Sequence, residues 1–161
     1  TENITELWMA PAGFNRGIIN NVNNLRFNPR KGERDQLYLN QINPIVRFNT
    51  GTVVWSQLTT LRKSSALQDL NIMRLFLYID RALKEYCANY IFEPNDEYPQ
   101  TSVARDITKF LENVKQRRGL YDFSVEVGAT ELEIKNKTMH VKVILNPTKV
   151  IEKIEIEFTI V

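Results

Sequence analysis

Between Asp69 and Phe92 apolar side chains recur at three- and four-residue spacing: Ile72, Leu75, Phe76, Ile79, Leu83, Tyr86 and Tyr90. This is the stripe of an amphipathic helix, and it predicts one over "DLNIMRLFLYIDRALKEYCANYIF" with Asp69 or Asn71 as N-cap. Met73, Leu77 and Tyr78 widen the apolar side, so the helix is expected to be covered on more than one side and to sit at the centre of the fold. A second stripe, Val103, Ile107, Phe110, Leu111 and Val114, predicts a helix over "PQTSVARDITKFLENVKQRRG". Pro99 suits its first turn, and Gly119 after the basic turn Lys115-Gln116-Arg117-Arg118 is a stop signal. Cations there complement the negative end of the helix dipole.

From residue 121 the period shortens to two. "YDFSVEV" sets Tyr121, Phe123, Val125 and Val127 against Asp122, Ser124 and Glu126, and "ELEIK" and "TMHVKVIL" alternate likewise across a polar Asn136-Lys137 turn. "KIEIEFTI" sets Ile154, Ile156, Phe158 and Ile160 against Glu155, Glu157 and Thr159. Such alternation predicts strands with one buried and one wet face, hence mainly antiparallel pairing. Two core helices packed on that sheet make an α+β fold. The last strand keeps its pattern to Val161, which suits it to pair with the sheet edge of another chain. The edges expected for this exchange lie near 121–127 and 150–161, with Tyr121, Phe123, Val125, Ile154, Ile156, Phe158 and Ile160 as pairing residues.

Residues 1–33 are rich in Asn, with scattered Gly and Pro and no sustained period. They predict an irregular leader with short extended pieces, lying across a folded surface, and leave the α+β domain to 34–161. "ERDQLYLNQ" suits a short helix with Leu37 and either Gln41 or Tyr38 inward. "IVRF" and "TVVW" flank a turn at Asn49-Thr50-Gly51 and suit a small hairpin. The chain begins at Thr1 and not Met, so a trimmed fragment of something longer is expected.

Little in the sequence points to catalysis. Twenty-one Lys and Arg against nineteen Asp and Glu leave a net charge of +2, which lends no support to nucleic-acid binding. No apolar run reaches the roughly 18 residues of a membrane span. A single cysteine and a single histidine rule out Cys-x-x-Cys and His-x-x-x-His motifs. Cys87 falls in a helical pattern, where it acts as a small apolar residue, and His140 falls on a wet strand face beside Lys142. No glycine lies in a phosphate-cradling pattern. The acidic loop "IFEPNDEYPQ" is the one enzyme-like stretch, and its Glu93, Asp96 and Glu97 lack calcium-loop spacing. As a corner it needs no metal: Pro94 stops one helix, and Asn95 or Asp96 with the following acid favours the start of the next. A metal-dependent hydrolase built on those three carboxylates is the enzyme alternative. No cofactor and no metal are expected.

Several stretches at ordered spacing resemble the C-terminal part of contractile phage tail sheath proteins: "ERDQLYLNQINPIV", "GTVVWSQLTTLRKSSALQDLNIMRLFLYID", "IFEPNDEYPQTSVARDITKFLENVKQRRGLYDFSV" and "KVILNPTKVIEKIEIEFTIV". "LWMAPAGFNRG" is similar to the segment by which sheath proteins enter this domain. "LNIMRLFLYID" matches the family's long-helix opening, with Met73 where a second basic or polar residue is common. The resemblance implies a structural subunit and not an enzyme. It would polymerise with other sheath subunits in sixfold helical layers around an inner tail tube, and also meet baseplate and tail terminator. Contraction would drive the tube through the host envelope, with free energy stored in the extended lattice. The resemblance further implies a place in the virion tail after assembly in the bacterial cytoplasm, and an inner, tube-facing position for this domain. Lys109, Lys115, Arg117 and Arg118 are the expected tube-facing residues. A related injection machine, an R-type bacteriocin or a type VI secretion-like apparatus, is the alternative setting. With its linking arms trimmed, the isolated chain is expected to be monomeric.

Overall fold

The computed structural model describes residues 6–157. Its elements run α1 (Gly13–Arg16), β1 (Ile18–Ile19), α2 (Lys31–Leu39), β2 (Ile45–Phe48), β3 (Gly51–Val54), a 3-10 turn (Ala66–Gln68), α3 (Leu70–Ala88), α4 (Glu97–Gln116), β4 (Leu120–Gly128), α5 (Glu131–Lys135) and β5 (His140–Pro147). This is the α+β class that the two periods predict.

The main core forms where α4 lies between the β4–β5 hairpin and α3. Val103, Ile107, Leu111 and Val114 of α4 are almost fully buried against Leu75 and Ile79 of α3, Leu120 of β4 and Trp8 of the leader. In the hairpin, Phe123 faces Leu145, Val125 faces Val143 and Val127 faces Val141, and all six side chains pack toward this core. One sheet face is thus apolar and the other carries Ser124, Glu126 and Lys142, the alternation of a half-wet antiparallel sheet. Tyr90, just past α3, donates its hydroxyl to Asp106 of α4 at 2.7 Å and closes the far end of the helix pair.

The centre of the fold is α4 and not α3. Phe76 and Leu77 of α3 are exposed at 44% and 52%, so among the described residues this helix is covered on one side only. Its N-cap position is Asp69, whose side chain makes no cap bond. Asn71 turns inward instead: its amide donates to the Trp8 carbonyl at 3.2 Å and its carbonyl accepts from Gln57 at 2.9 Å.

A second, three-stranded antiparallel sheet runs in the order β1-β3-β2. The expected hairpin is present, with Asn49-Thr50 as its turn and Gly51 already in β3 at φ 135°. The leader adds β1 to it, Ile18 opposite Val53 and Ile19 opposite Thr52. Gly17 enters this strand with no room for a side chain, since a Cβ there would stand 2.7 Å from the Val54 carbonyl oxygen. Phe14, Phe48 and Trp55 make a ring cluster with centroids 4.6 to 5.1 Å apart.

Two stretches expected in the main sheet are not strands. "ELEIK" is α5, because Thr130 and Glu133 form a capping box: Glu133 accepts from the Thr130 backbone N–H at 2.7 Å while the Thr130 hydroxyl oxygen accepts from the Glu133 N–H. Residues 148–157 form no strand at all. A strand exists only in a ladder, and after the Thr148 N–H reaches the Gly119 carbonyl the chain leaves the hairpin. It runs instead toward α2, where Glu152 accepts the Tyr38 hydroxyl proton at 2.8 Å.

Candidate functional site

The acidic corner is built by its neighbours. Asp96 caps α4, accepting from the Tyr98 N–H at 3.0 Å, as its place before the helix predicts. Asn95 donates to the Thr138 carbonyl at 2.9 Å and accepts from Gln100, which ties the corner to the loop before β5. Helix α3 ends at Ala88, several residues before Pro94, and a succession of turns follows. Glu93, Asp96 and Glu97 are all exposed, and no cluster of three metal-ligating side chains occurs among the described residues.

Cys87, His140, Glu133 and Asp122 have local, structural settings. Burial pushes the Cys87 thiol up, away from the thiolate that a nucleophile needs. His140 is exposed on the wet face, its Nε2 2.7 Å from Glu133. Hydrogen bonds from Thr130 hold the Glu133 carboxyl below the usual glutamate value. Asp122 is likewise held low, by Lys115.

The four cations near the end of α4 do not form one patch. At about 100° per residue, Lys109 points away from the buried Val103–Ile107–Leu111 stripe, while positions 115 and 117 flank it on opposite sides. Lys115 pairs with Asp122 at 2.8 Å and lies over the Phe123 ring. Arg117 pairs with Glu6 and lies over the Trp8 ring, 5.4 Å from its centroid. Lys109 and Arg118 are exposed and have no ion-pair partner among the described residues.

Strand edges are the other feature open to a partner. The free edge of β2 is partly closed by Asn28, whose side chain accepts from the Arg47 N–H at 2.9 Å and donates to the Arg47 carbonyl at 3.2 Å, as a neighbouring strand would. The β4 and β5 strands pair only with each other among the described residues, so each keeps one edge unpaired. Tyr121 is exposed on β4, whereas Phe123 and Val125 face the core and offer backbone alone. Ile151, Ile154 and Ile156 of the C-terminal segment are exposed at 72 to 81%. Phe158 and Ile160 lie outside the described residues.

Sequence reasoning placed Asp96 and both helix stripes but missed Trp8 as a core residue. Its signal was the "LWMAPAG" segment, a short apolar run around one large aromatic in an otherwise Asn-rich leader. It missed α5 as well, although Thr130-Glu131-Leu132-Glu133 carries the capping-box spelling.

Comparison with known proteins agrees on one family. Residues 62–161 match the family model of the phage tail sheath C-terminal domain. The tail sheath protein of Vibrio phage KVP40 is 37% identical over 131 residues, and that of Enterobacteria phage T4 is 30% identical over the same length. Each alignment covers 81% of this chain and 20% of the relative, so the chain spans about a fifth of these curated relatives. Among solved structures, a chain of the anti-feeding prophage baseplate superposes with a TM-score of 0.87 at 25% identity, over 99% of this chain and 46% of that one. The contracted sheath complex of an extracellular contractile injection system gives 0.86 at 27% identity, over 95% and 46%. The chain belongs to the phage tail sheath C-terminal domain family.

Proposed function

We propose that this domain is the inner, linking part of a contractile tail sheath subunit, which polymerises around a tail tube and contracts to drive it through a host envelope. The observation that carries this reading is the pairing of an acceptor with a donor. Among the described residues the β4–β5 hairpin has two open edges, and the 150–157 segment presents exposed, alternating isoleucines with no strand of its own. An extended segment can complete another copy's sheet, gaining backbone hydrogen bonds that the lone chain cannot make. Such a link holds subunits together while their domains change relative orientation. Tyr121, Phe123 and Val125 mark the acceptor strand, and Ile154, Ile156, Phe158 and Ile160 the donor.

Inner tail tube, baseplate and tail terminator are the further partners, in a virion tail assembled in the bacterial cytoplasm. Lys109, Lys115, Arg117 and Arg118 are assigned to the tube side, with Lys109 and Arg118 as the cations left free to meet acidic groups. The higher identity of the phage relatives favours a phage tail over the injection machines represented among the solved structures. No catalytic step is involved: the work is mechanical.

The test is a full-length protein lacking residues 150–161, compared with the intact protein by electron microscopy. The intact protein is expected to form tubular polymers and the truncated one to stay as single subunits or short rings. Tubes of equal length from both would refute the strand link.

A further inference from the structure

The alternation of the C-terminal arm has a definite start. From Lys153 to Ile160 the polar residues Lys153, Glu155, Glu157 and Thr159 interleave with Ile154, Ile156, Phe158 and Ile160. Successive side chains of a strand point to opposite faces, so a strand continued one step back would put Glu152 on the isoleucine side. That side must cover an apolar surface when the arm joins another copy's sheet, and a carboxylate buried there without a partner is costly. The exchanged strand therefore begins at Lys153.

Glu152 finds its partner on its own subunit instead. The Thr148 N–H bonds to the Gly119 carbonyl at 3.1 Å, and the chain then turns to α2, whose penultimate residue, Tyr38, donates to Glu152 at 2.8 Å. Asp69, at the N-cap position of α3, lies within electrostatic reach of both arm charges. Burial and the Glu152 carboxylate push the Asp69 carboxyl up, and Lys149 opposes them, offsetting the repulsion between the two acids. The arm is thus held at Thr148 and again at Glu152. Beyond Glu152 the described residues are all exposed and bond only to one another, Lys153 with Glu155. The root is fixed and the tip is free.

We infer that Tyr38 is a positioning residue for subunit linkage: its bond to Glu152 fixes the root of the arm and persists in the polymer, so that residues 153–161 alone cross to the next copy. The inference rests on the proposed strand link and adds to it the point from which the donor departs. Without the bond, the ordering of residues 149–152 is added to the cost of assembly. A fixed root also bounds the lattice. The nine residues 153–161, fully extended, reach about 30 Å, so the acceptor edge lies within that distance of the donor's Tyr38.

The test measures the critical concentration for polymerisation of the full-length protein. Tyr38→Phe and Glu152→Ala are each expected to raise it about tenfold, and the double variant no further than either alone. Glu152→Gln, which still accepts from the tyrosine hydroxyl, should assemble like the unmodified protein. In a Cys87→Ala background, Tyr38→Cys/Glu152→Cys joined by a short bismaleimide keeps the root closed by covalent linkage. This bridged protein is expected to form tubes at or below the critical concentration of its unbridged form. Bridged protein that stays as single subunits, or a Tyr38→Phe variant that assembles as well as or better than the unmodified protein, overturns the inference. Tubes formed without residues 150–161 overturn the strand link beneath it, and failure of the unmodified protein to form tubes overturns the sheath role itself.

Discussion

The Trp8 indole N–H donates to the backbone carbonyl of Arg117 at 3.1 Å, joining two positions 109 residues apart in the chain. A helix leaves its last carbonyls without partners, and here the leader supplies one. The Arg117 side chain returns over the same indole and pairs with Glu6, so leader and helix end hold each other. Trp8 to Ala should therefore destabilise the domain by about 3–5 kcal/mol. Trp8 to Phe, which keeps the ring but loses the donor, should cost about 1 kcal/mol. Denaturant unfolding separates the two.

Helix α4 stops in a Schellman turn, with the Arg118 N–H on the Lys115 carbonyl and the Gly119 N–H on the Val114 carbonyl, each at 2.9 Å. The left-handed residue is Arg118, at φ 65°, and not the glycine. Gly119 is needed for space: a Cβ there would stand 2.7 Å from the Val114 side chain and 3.1 Å from the Trp8 ring. Gly119 to Ala is expected to destabilise by about 1–3 kcal/mol through overpacking. Arg118 to Gly should raise thermal stability slightly, because the left-handed position is strained for arginine.

Glu133 links the α5 capping box to His140, and its carboxyl is held low chiefly by the Thr130 backbone and hydroxyl bonds. A carboxyl lowered in the folded state stabilises fully above its unfolded pKa, and that contribution is lost as pH falls through the lowered folded value. Thr130 to Ala should move the Glu133 midpoint, followed by NMR, upward toward the ordinary glutamate range. The α5 amides should exchange faster in the same variant.

Tyr38 donates to Glu152, and this bond, with burial and the carboxylate charge, pushes its pKa up to about 12. Its contribution is complete below about pH 10, the ordinary tyrosine value, and lost as pH rises through about 12. Ultraviolet titration should show a late tyrosine midpoint that disappears in Tyr38 to Phe. The same variant should be cut faster by protease within residues 148–157, since one anchor of that segment is gone.

The long periods were legible because each records a large buried face. Ile72, Leu75 and Ile79 on α3, and Val103, Ile107 and Leu111 on α4, point where their spacing says they must. Short segments were not legible by period. Leu132 and Ile134 alternate over five residues, which fits strand and helix equally, and only the capping box decides between them. Helix ends were half legible. Gly119 marked one correctly, but α2, α4 and α5 all turn on non-glycine residues, Gln41, Arg118 and Lys137, at positive φ. The course of residues 148–157 was not legible at all, because alternation specifies a face and not a partner.

Cryo-EM of the polymer formed by the full-length protein tests the central claim most directly. The account predicts that residues 153–161 of one subunit lie as a strand along the open edge of β4 or β5 of another. Residues 153–161 turned back on their own subunit, with both hairpin edges bare, would contradict it.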